Sequence, residues 1–352
     1  MIVRDEEDVL ARCLESVSGL FDEIVIADTG SEDSTKSVAK RYTDRVLDFE
    51  WTDDFSAARN FSLRAARGDY IMWLDADDVV EGENYRLLKD VLGRLDAEKP
   101  DVVMLPYIVA FDERGGALLS YERERILRRG LFFEGAVHEA VAPQGKIIHA
   151  NAAISHRKVK ENQPGRNLGI FEKLLKEGKT LEPRMRYYYA RELFGANRLE
   201  EAARAYLGCA EDGGAWVENR ISAWFELAGC LELLGREKDS EEALFRALSL
   251  GEPRADLCCE LGRRFLMKND LMSARFWYSL APEQFRRAKG GFVHADFGGY
   301  IPYLQLCVIY DRLGQHRLAE SFNSLAGRFH PESEAVAANR SYFKTLLGER
   351  SE

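Results

Sequence analysis

The stretch Trp73-Leu74-Asp75-Ala76-Asp77-Asp78 directly follows an apolar run that starts at Tyr70. Side chains of extended chain alternate with a period of two, so Asp75 and Asp77 are expected to project the same way from the carboxyl end of a strand. Two carboxylates that meet at one point repel each other unless a cation joins them. A hard divalent ion, Mg2+ or Mn2+, suits such an oxygen pair and would also bridge the diphosphate of a nucleotide ligand. An Asp-x-Asp alone is a weak sign, because acidic turns after strands are common; the apolar run before it makes this one informative. A second acidic turn, Asp28-Thr29-Gly30-Ser31, follows Ile24-Val25-Ile26-Ala27. Asp28 sits at a strand end, where open α/β sheets bind ligands, and could accept a hydrogen bond from a base or a ribose. Ser31, Asp33 and Ser34 are candidate helix caps, and a plain capping role for this turn is equally open.

The elements that must position these residues alternate in type. Ile24–Ala27, Arg45–Phe49, Tyr70–Leu74 and Val102–Leu105 are short apolar runs of the kind found in buried strands. Between them, Val9, Leu10, Cys13, Leu14 and Val17 share one helix face, as do Leu87, Leu88, Val91, Leu92 and Leu95. Such alternation predicts an α/β domain with a mostly parallel twisted sheet between helices. From Ala117 to His156 the helical period fades, and short extended pieces separated by glycines predict an antiparallel extension of the sheet. The polar, breaker-rich segment Lys158–Gly165 places a domain boundary there, giving residues 1–160 and 161–352.

Everything beyond that boundary reads as helix with a loose repeat. Leu193–Ala202 matches Leu233–Ala243, and further copies occur at Lys268–Ala274 and Arg312–Ala319. Small residues Ala202, Ala243, Ala274 and Ala319, spaced 41, 31 and 45 residues apart, would let the second helix of each pair approach the first. The expectation is an all-α, tetratricopeptide-like domain of about four hairpins, with an insertion before the last.

Composition narrows the partners. A formal charge of -10 argues against nucleic acid, since phosphate backbones need a basic surface. The basic residues Arg123, Arg125, Arg128 and Arg129 alternate with Glu122 and Glu124, which reads as a solvated strand face. Six scattered cysteines without a CxxC pair read as small hydrophobes, not as a zinc site or a disulfide framework. No apolar run reaches the roughly 20 residues that span a bilayer, and the first residues lack the apolar stretch of a signal peptide. The expected setting is a reduced, cytoplasmic compartment with no integral membrane segment.

Taken together, Ile2–Glu7, Asp28–Ser31, Phe55–Asn60, Asp75-Ala76-Asp77 and Phe133–Glu139, continuing to His156, resemble the inverting glycosyltransferases of family 2. Five motifs in the family's order are far more specific than any one of them. The added helical repeats and Tyr300–Cys307 look like the bacterial subgroup that includes glycocin S-glycosyltransferases of the sublancin type. The resemblance implies a type A glycosyltransferase sheet and a nucleotide-sugar donor, UDP-linked, with a peptide, protein or glycan as acceptor. It implies that Glu6 or Glu7 and Asp28 hold the uridine, that Arg59 and Asn60 help fix the nucleotide-sugar, and that the Asp75-Ala76-Asp77 segment meets the diphosphate. Asp75, Asp77 and His156, the last as a neutral imidazole, would carry Mn2+ or Mg2+. Glu139 matches the family's acidic base position, with its neighbour His138 as the alternative. The motif here reads Val137-His138-Glu139, where the commoner form has Glu-Asp. Relatives also carry apolar residues ahead of the segment equivalent to Met1-Ile2-Val3, so a short first strand is expected.

Two other function classes fit parts of the pattern: a helical-repeat adaptor that binds a nucleotide-sugar without turnover, and a sugar-phosphate nucleotidyltransferase. The joint presence of Asp75, Asp77, Glu139 and His156 speaks for an enzyme over an adaptor. Asp5-Glu6-Glu7-Asp8, standing where a Gly-rich phosphate loop would follow the first strand, speaks against nucleotidyl transfer. Lys289–Tyr300, with His294 and Asp296, reads either as an inter-hairpin connector or as a loop near the acceptor. Helical repeats often self-associate, which makes a homodimer one assembly open to the chain.

Overall fold

A computed structural model describes residues 1–112, 115–160, 164–287 and 293–348, and the chain divides into two compact units, Met1–Ala205 and Tyr206–Glu352. In the first unit, β1 (Ile2–Val3), β2 (Ile26–Asp28) and β3 (Val46–Asp48) form a parallel sheet in that order. Helices α1 (Leu10–Ser16), α2 (Thr35–Ala39) and α3 (Phe55–Ala65) connect the strands and lead out of them. The first bears out its amphipathic reading by burying Leu10, Cys13 and Leu14.

A second sheet is built on β6 (Val102–Phe111) and β7 (Ala117–Arg128), a long antiparallel hairpin. Strand β4 (Tyr70–Met72) pairs antiparallel with the far end of β7, while β8 (Ile147–His149) and β9 (Ile154–His156) run parallel to β6. Antiparallel to β9 lies β5 (Asp78–Val79), in a register that sets Asp78 opposite His156. The sheet framework is thus parallel in its first part and mixed in its second. Val103, Leu105, Ile126 and Ile154 form the core of this sheet, covered by Leu88 and Val91 of α4 (Glu83–Leu92) and Leu95 of α5 (Leu95–Glu98).

The Arg123–Arg129 segment is not a uniformly solvated face. Arg128 and Arg129 are exposed, but Arg125 is fully buried on β7, because a strand turns alternate side chains inward and Asp78 waits there for it. Two helices, α6 (Arg166–Lys176) and α7 (Pro183–Gly195), complete this unit, the second opening with a proline in its first turn.

After α8 (Leu199–Ala210) come α9 (Val217–Leu233), α10 (Glu237–Leu248), α11 (Ala255–Met267), α12 (Leu271–Arg287), α13 (Tyr300–Arg312), α14 (His316–Phe329) and α15 (Glu334–Leu346). The helices α9 and α10, α11 and α12, and α13 and α14 pack as hairpins. Turn geometry fixes the repeat. Asn197, Gly235, Asn269 and Gly314 have φ of 58°, 72°, 58° and 73°, the left-handed conformation that ends a helix. In each case the left-handed residue's N–H reaches back three carbonyls and the next N–H reaches back five, as in Gly314 to Asp311 and Gln315 to Tyr310.

Five residues beyond each left-handed position stand Ala202, Ser240, Ala274 and Ala319, all fully buried. Ser240, not Ala243, is therefore the equivalent small residue of the second copy. The corrected spacings are 38, 34 and 45 residues. The sequence alignment slipped by three because it matched Ala to Ala, whereas the turn accepts any small side chain that packs at that point. All six cysteines are buried and free. Among the described residues no helix is long and apolar enough to cross a membrane. Of the Lys289–Tyr300 segment, 289–292 lie outside the described residues; Ala295–Gly298 form one 3-10 turn, and Asp296 is hydrogen-bonded to His330 at 2.6 Å.

Candidate active site

The acidic turn begins where β4 stops. The backbone of Asp78 closes on the carbonyl of Asp75 at 3.1 Å, and the Asp78 carboxylate accepts the Asp75 N–H at 2.9 Å. This tight turn replaces the straight extended chain expected from the sequence, so the carboxylates take different partners. Asp75 accepts from Arg59 Nη2 at 2.7 Å. Asp77 and Asp78 both face His156 on β9, with Oδ1 atoms 3.3 and 3.5 Å from Nδ1.

Asp77, Asp78 and His156 form a group whose ligand atoms all lie within 4.8 Å of one another. Compared with the set expected from the sequence, Asp78 takes the place of Asp75. The donors suit a divalent ion: two hard carboxylates and an imidazole. Asp78 Oδ1 and His156 Nδ1 are buried without a hydrogen-bond partner, which is the condition an ion would relieve. Without a bound ion, burial alone would lower the His156 pKa, but the close contacts and charges of Asp77 and Asp78 outweigh it and raise the value to about 9.

Arg59 is the hub between the turn and the candidate base. It stands on α3, whose N-terminus is capped by Asp54 accepting from Ala57 N at 2.9 Å. Its Nε donates to Glu139 Oε1 at 2.5 Å and its Nη2 to Asp75, while its guanidinium lies 4.7 Å over the Trp73 ring. Burial would raise the Asp75 pKa, yet Arg59 and Arg125 hold it down at about 2. One planar fork thus joins two acids that would otherwise repel.

A cleft of about 380 Å³ opens over these groups, lined by Glu6, Arg59, Asp75, Ala76, Asp77 and His156. Glu6 rather than Glu7 faces it. Burial raises the pKa of Glu6, and Lys160 Nζ stands 3.8 Å from its carboxylate. Glu7 instead accepts from Ser34 N at 2.8 Å. Trp51, Phe55, Arg4, Lys158 and Arg166 also line the cleft, so it carries cations as well as acids.

The remaining expected residues lie around the cleft and not in its lining. Asp28 is buried, and its Oδ1 accepts from Gly30 N and Ser31 N at 3.0 Å each, a local cap; its Oδ2 is buried without a partner. Asn60 is doubly bonded to the backbone of Phe133, donating to its carbonyl at 2.9 Å and accepting its N–H at 2.8 Å. Glu139 is buried behind Arg59. His138 turns away to Glu192 of α7 at 3.1 Å and stacks on Tyr188 with ring centres 4.1 Å apart.

Sequence reasoning passed over Asp78 and Arg125. Arg125 Nη1 donates to Asp78 Oδ2 at 2.8 Å, with both side chains fully buried and the guanidinium 3.9 Å over Trp73 and 4.2 Å over Tyr107. The available signal was the third acid in Asp75–Asp78, together with an arginine on the inward phase of a strand.

Residues 1–158 match the model of Glycosyl transferase family 2. A TPR repeat-containing protein of Synechococcus elongatus is 38% identical over 144 residues, 40% of this chain and 34% of that protein. The glycosyltransferase SunS of Bacillus subtilis is 30% identical over 216 residues, 57% of this chain and 50% of SunS. The lipopolysaccharide core biosynthesis glycosyltransferase LpsC of Rhizobium meliloti is 26% identical over 193 residues, 51% of this chain and 66% of LpsC. The chain therefore spans half or less of the length of the first two relatives. Among solved structures, MamA aligns with TM-score 0.37 at 18% identity over 45% of this chain and 84% of MamA. Yeast Tom70 aligns with TM-score 0.41 at 18% identity over 54% of this chain and 38% of that one.

Proposed function

We propose that the protein, whose residues 1–158 match the model of Glycosyl transferase family 2, transfers a sugar, with inversion, from a UDP-linked donor to a peptide, protein or glycan acceptor. The observation that carries this reading is that Asp77 and His156, which with buried Asp78 form a divalent-ion donor group, line one cleft with Asp75 and Arg59, and that Arg59 ties Asp75 to Glu139 behind it. Mn2+ or Mg2+ bound there would neutralise charge on the departing diphosphate.

The chain's own residues do the rest. Glu6 and Asp28 orient the nucleotide, Glu6 from the cleft wall and Asp28 by way of its turn. Arg4, Lys158, Lys160 and Arg166 add positive charge where the diphosphate would lie. Arg59 holds Asp75 and Glu139 in fixed relation, with Asn60 and Phe133 bracing the segment that leads to Glu139. Glu139 Oε1 is engaged by Arg59, so Oε2 is the oxygen that takes the acceptor's proton. As that O–H or S–H bond breaks, the acceptor atom bonds to the anomeric carbon from the face opposite the diphosphate. The carbon–oxygen bond to phosphate breaks, and its electrons leave with the nucleotide. Six buried free cysteines fit a reduced cytoplasmic setting.

The test is UDP release from UDP-sugars by the full chain, with Mn2+ and with a chelator, for the wild type and Asp77→Asn. The expected result is metal-dependent release, lowered at least about 100-fold in the variant. Full release by Asp77→Asn in the chelator sinks the metal assignment. Nucleotide-sugar binding without turnover turns the reading to an adaptor, and pyrophosphate exchange turns it to nucleotidyl transfer.

A further inference from the structure

The segment that presents Glu139 is strained. Gly135 has φ 94° and His138, with a full side chain, has φ 53°. A non-glycine residue in the left-handed region is held there only when its surroundings over-determine it. Glu134 and Ala140 pair across the loop and close its base, the Phe55 N–H donates to the Ala136 carbonyl at 2.8 Å and Arg123 Nη2 donates to the Glu139 carbonyl at 3.4 Å, but none of these bonds engages His138 itself.

The contacts to the His138 side chain come from the helices that follow the sheet. His138 stacks on Tyr188 of α7 with rings 13° from parallel, and its Nε2 lies 3.1 Å from Glu192 Oε1. A carboxylate only accepts, so Nε2 carries the hydrogen and donates. Asn167 of α6 donates to the same Glu192 oxygen at 3.0 Å. The hydrogen bond from His138, with that from Asn167, lowers the Glu192 pKa despite burial and keeps it an ionised acceptor. The loop tip is thus clamped by one stacked ring and one charge-assisted bond, both one residue from Glu139.

We infer that Glu192 is a positioning residue: through His138 it fixes the left-handed backbone that sets Glu139 against Arg59, so that α6 and α7 belong to the catalytic machinery. This rests on the glycosyltransferase reading above. His138 is then a backbone anchor instead of the base, and the functional unit reaches past residue 160 into the first two helices. Were His138 released into a right-handed conformation, the chain direction at Glu139 would change and its carboxylate would leave the guanidinium.

The experiment compares wild type, Glu192→Ala, Glu192→Gln, His138→Ala and the double variant His138→Ala/Glu192→Ala in the full chain. Glu192→Ala is expected to lower kcat about 10- to 100-fold with the KM for the UDP-sugar unchanged, because a small misplacement of a catalytic group acts on the chemical step. Glu192→Gln keeps a carbonyl acceptor for Nε2–H and should retain most of the rate. In the His138→Ala background the Glu192→Ala change should add nothing. Hydrogen exchange at Val137–Ala140 should quicken in Glu192→Ala, a readout independent of turnover. Unchanged exchange and unchanged kcat in Glu192→Ala overturn the inference, as do fully additive effects of the two substitutions. A wild type that releases no UDP overturns the parent reading instead, and the exchange result still decides the clamp.

Discussion

Two kinds of tight turn organise this molecule, and they differ in what they need beyond their own backbone. The Asp75–Asp78 turn closes locally, from Asp78 N–H to the Asp75 carbonyl, but its carboxylates also take partners far along the chain: Arg59 at a separation of 16 residues, Arg125 at 47, and His156 on another strand. The helix-hairpin turns at Asn197, Gly235, Asn269 and Gly314 close on carbonyls three and five residues back and need nothing distant. The repeat turns recur because their instructions are local. The acidic turn occurs once, because its shape is the sum of four elements that must already be in place.

This contrast predicts unequal responses to single substitutions, and the largest belongs to the buried pair. Arg125→Met removes the buried guanidinium from Asp78 and leaves it only the Asp75 N–H and His156, which costs about 3–5 kcal/mol and should abolish sugar transfer. Hydrogen exchange of the β4 and β7 amides measures it against the wild type. Asp78→Leu combined with Arg125→Met should regain most of that stability while remaining inactive, since the apolar pair packs but offers no ligand. A loss below about 1 kcal/mol in Arg125→Met alone would mean that the turn is held by its own sequence, and the contrast would fail.

The same contrast explains what could be read in the sequence. The strands at Ile26, Val46, Tyr70 and Val102 and the hairpins of the second half were legible because hydrophobic period and breaker residues are local signals. Glu6, Arg59, Asp75, Asp77 and His156, drawn from separate motifs, line one cleft. Which acid meets which partner was not legible. Asp78, not Asp75, stands with Asp77 beside His156, because the chain turns at Asp75–Asp78 while Arg59 takes Asp75 and Arg125 takes the other oxygen of Asp78. His138 and Asn60 carry the same lesson: both lie in motif segments, yet Glu192 and Phe133 take up their polar atoms.

A smaller effect is expected at the hairpin turns. Gly314 sits at φ 73°, and a Cβ there would meet no atom within 4 Å. Gly314→Ala therefore tests conformation without collision and should cost about 1–2 kcal/mol, read as faster exchange in α13 and α14 with β7 unaffected. Asn269→Gly, at an equivalent turn, should be neutral or slightly stabilising, since glycine enters the left-handed region without a Cβ penalty. If Gly314→Ala were silent, the recurrence of these turns would owe nothing to backbone chirality.

A loss of one hydrogen bond is expected at Ser240, the position that corrects the repeat register. Its hydroxyl donates to the Ala228 carbonyl at 2.6 Å and receives Arg264 Nη2 at 3.0 Å, so this hairpin alone of the four adds a polar tie at its close-packed point. Ser240→Ala keeps the small volume that the other three copies use and removes only the tie, for about 1 kcal/mol. Arg264 retains Glu232 and Glu260, which limits the damage to one hydrogen bond. The measurement is hydrogen exchange in α9 and α10, with Ala243→Ser as the companion. A register set by turn geometry makes Ser240→Leu severe, because a fully buried site has no room for three further carbons. If Ser240→Leu packs without loss, size at this position does not mark the repeat, and the turn-based register loses its meaning.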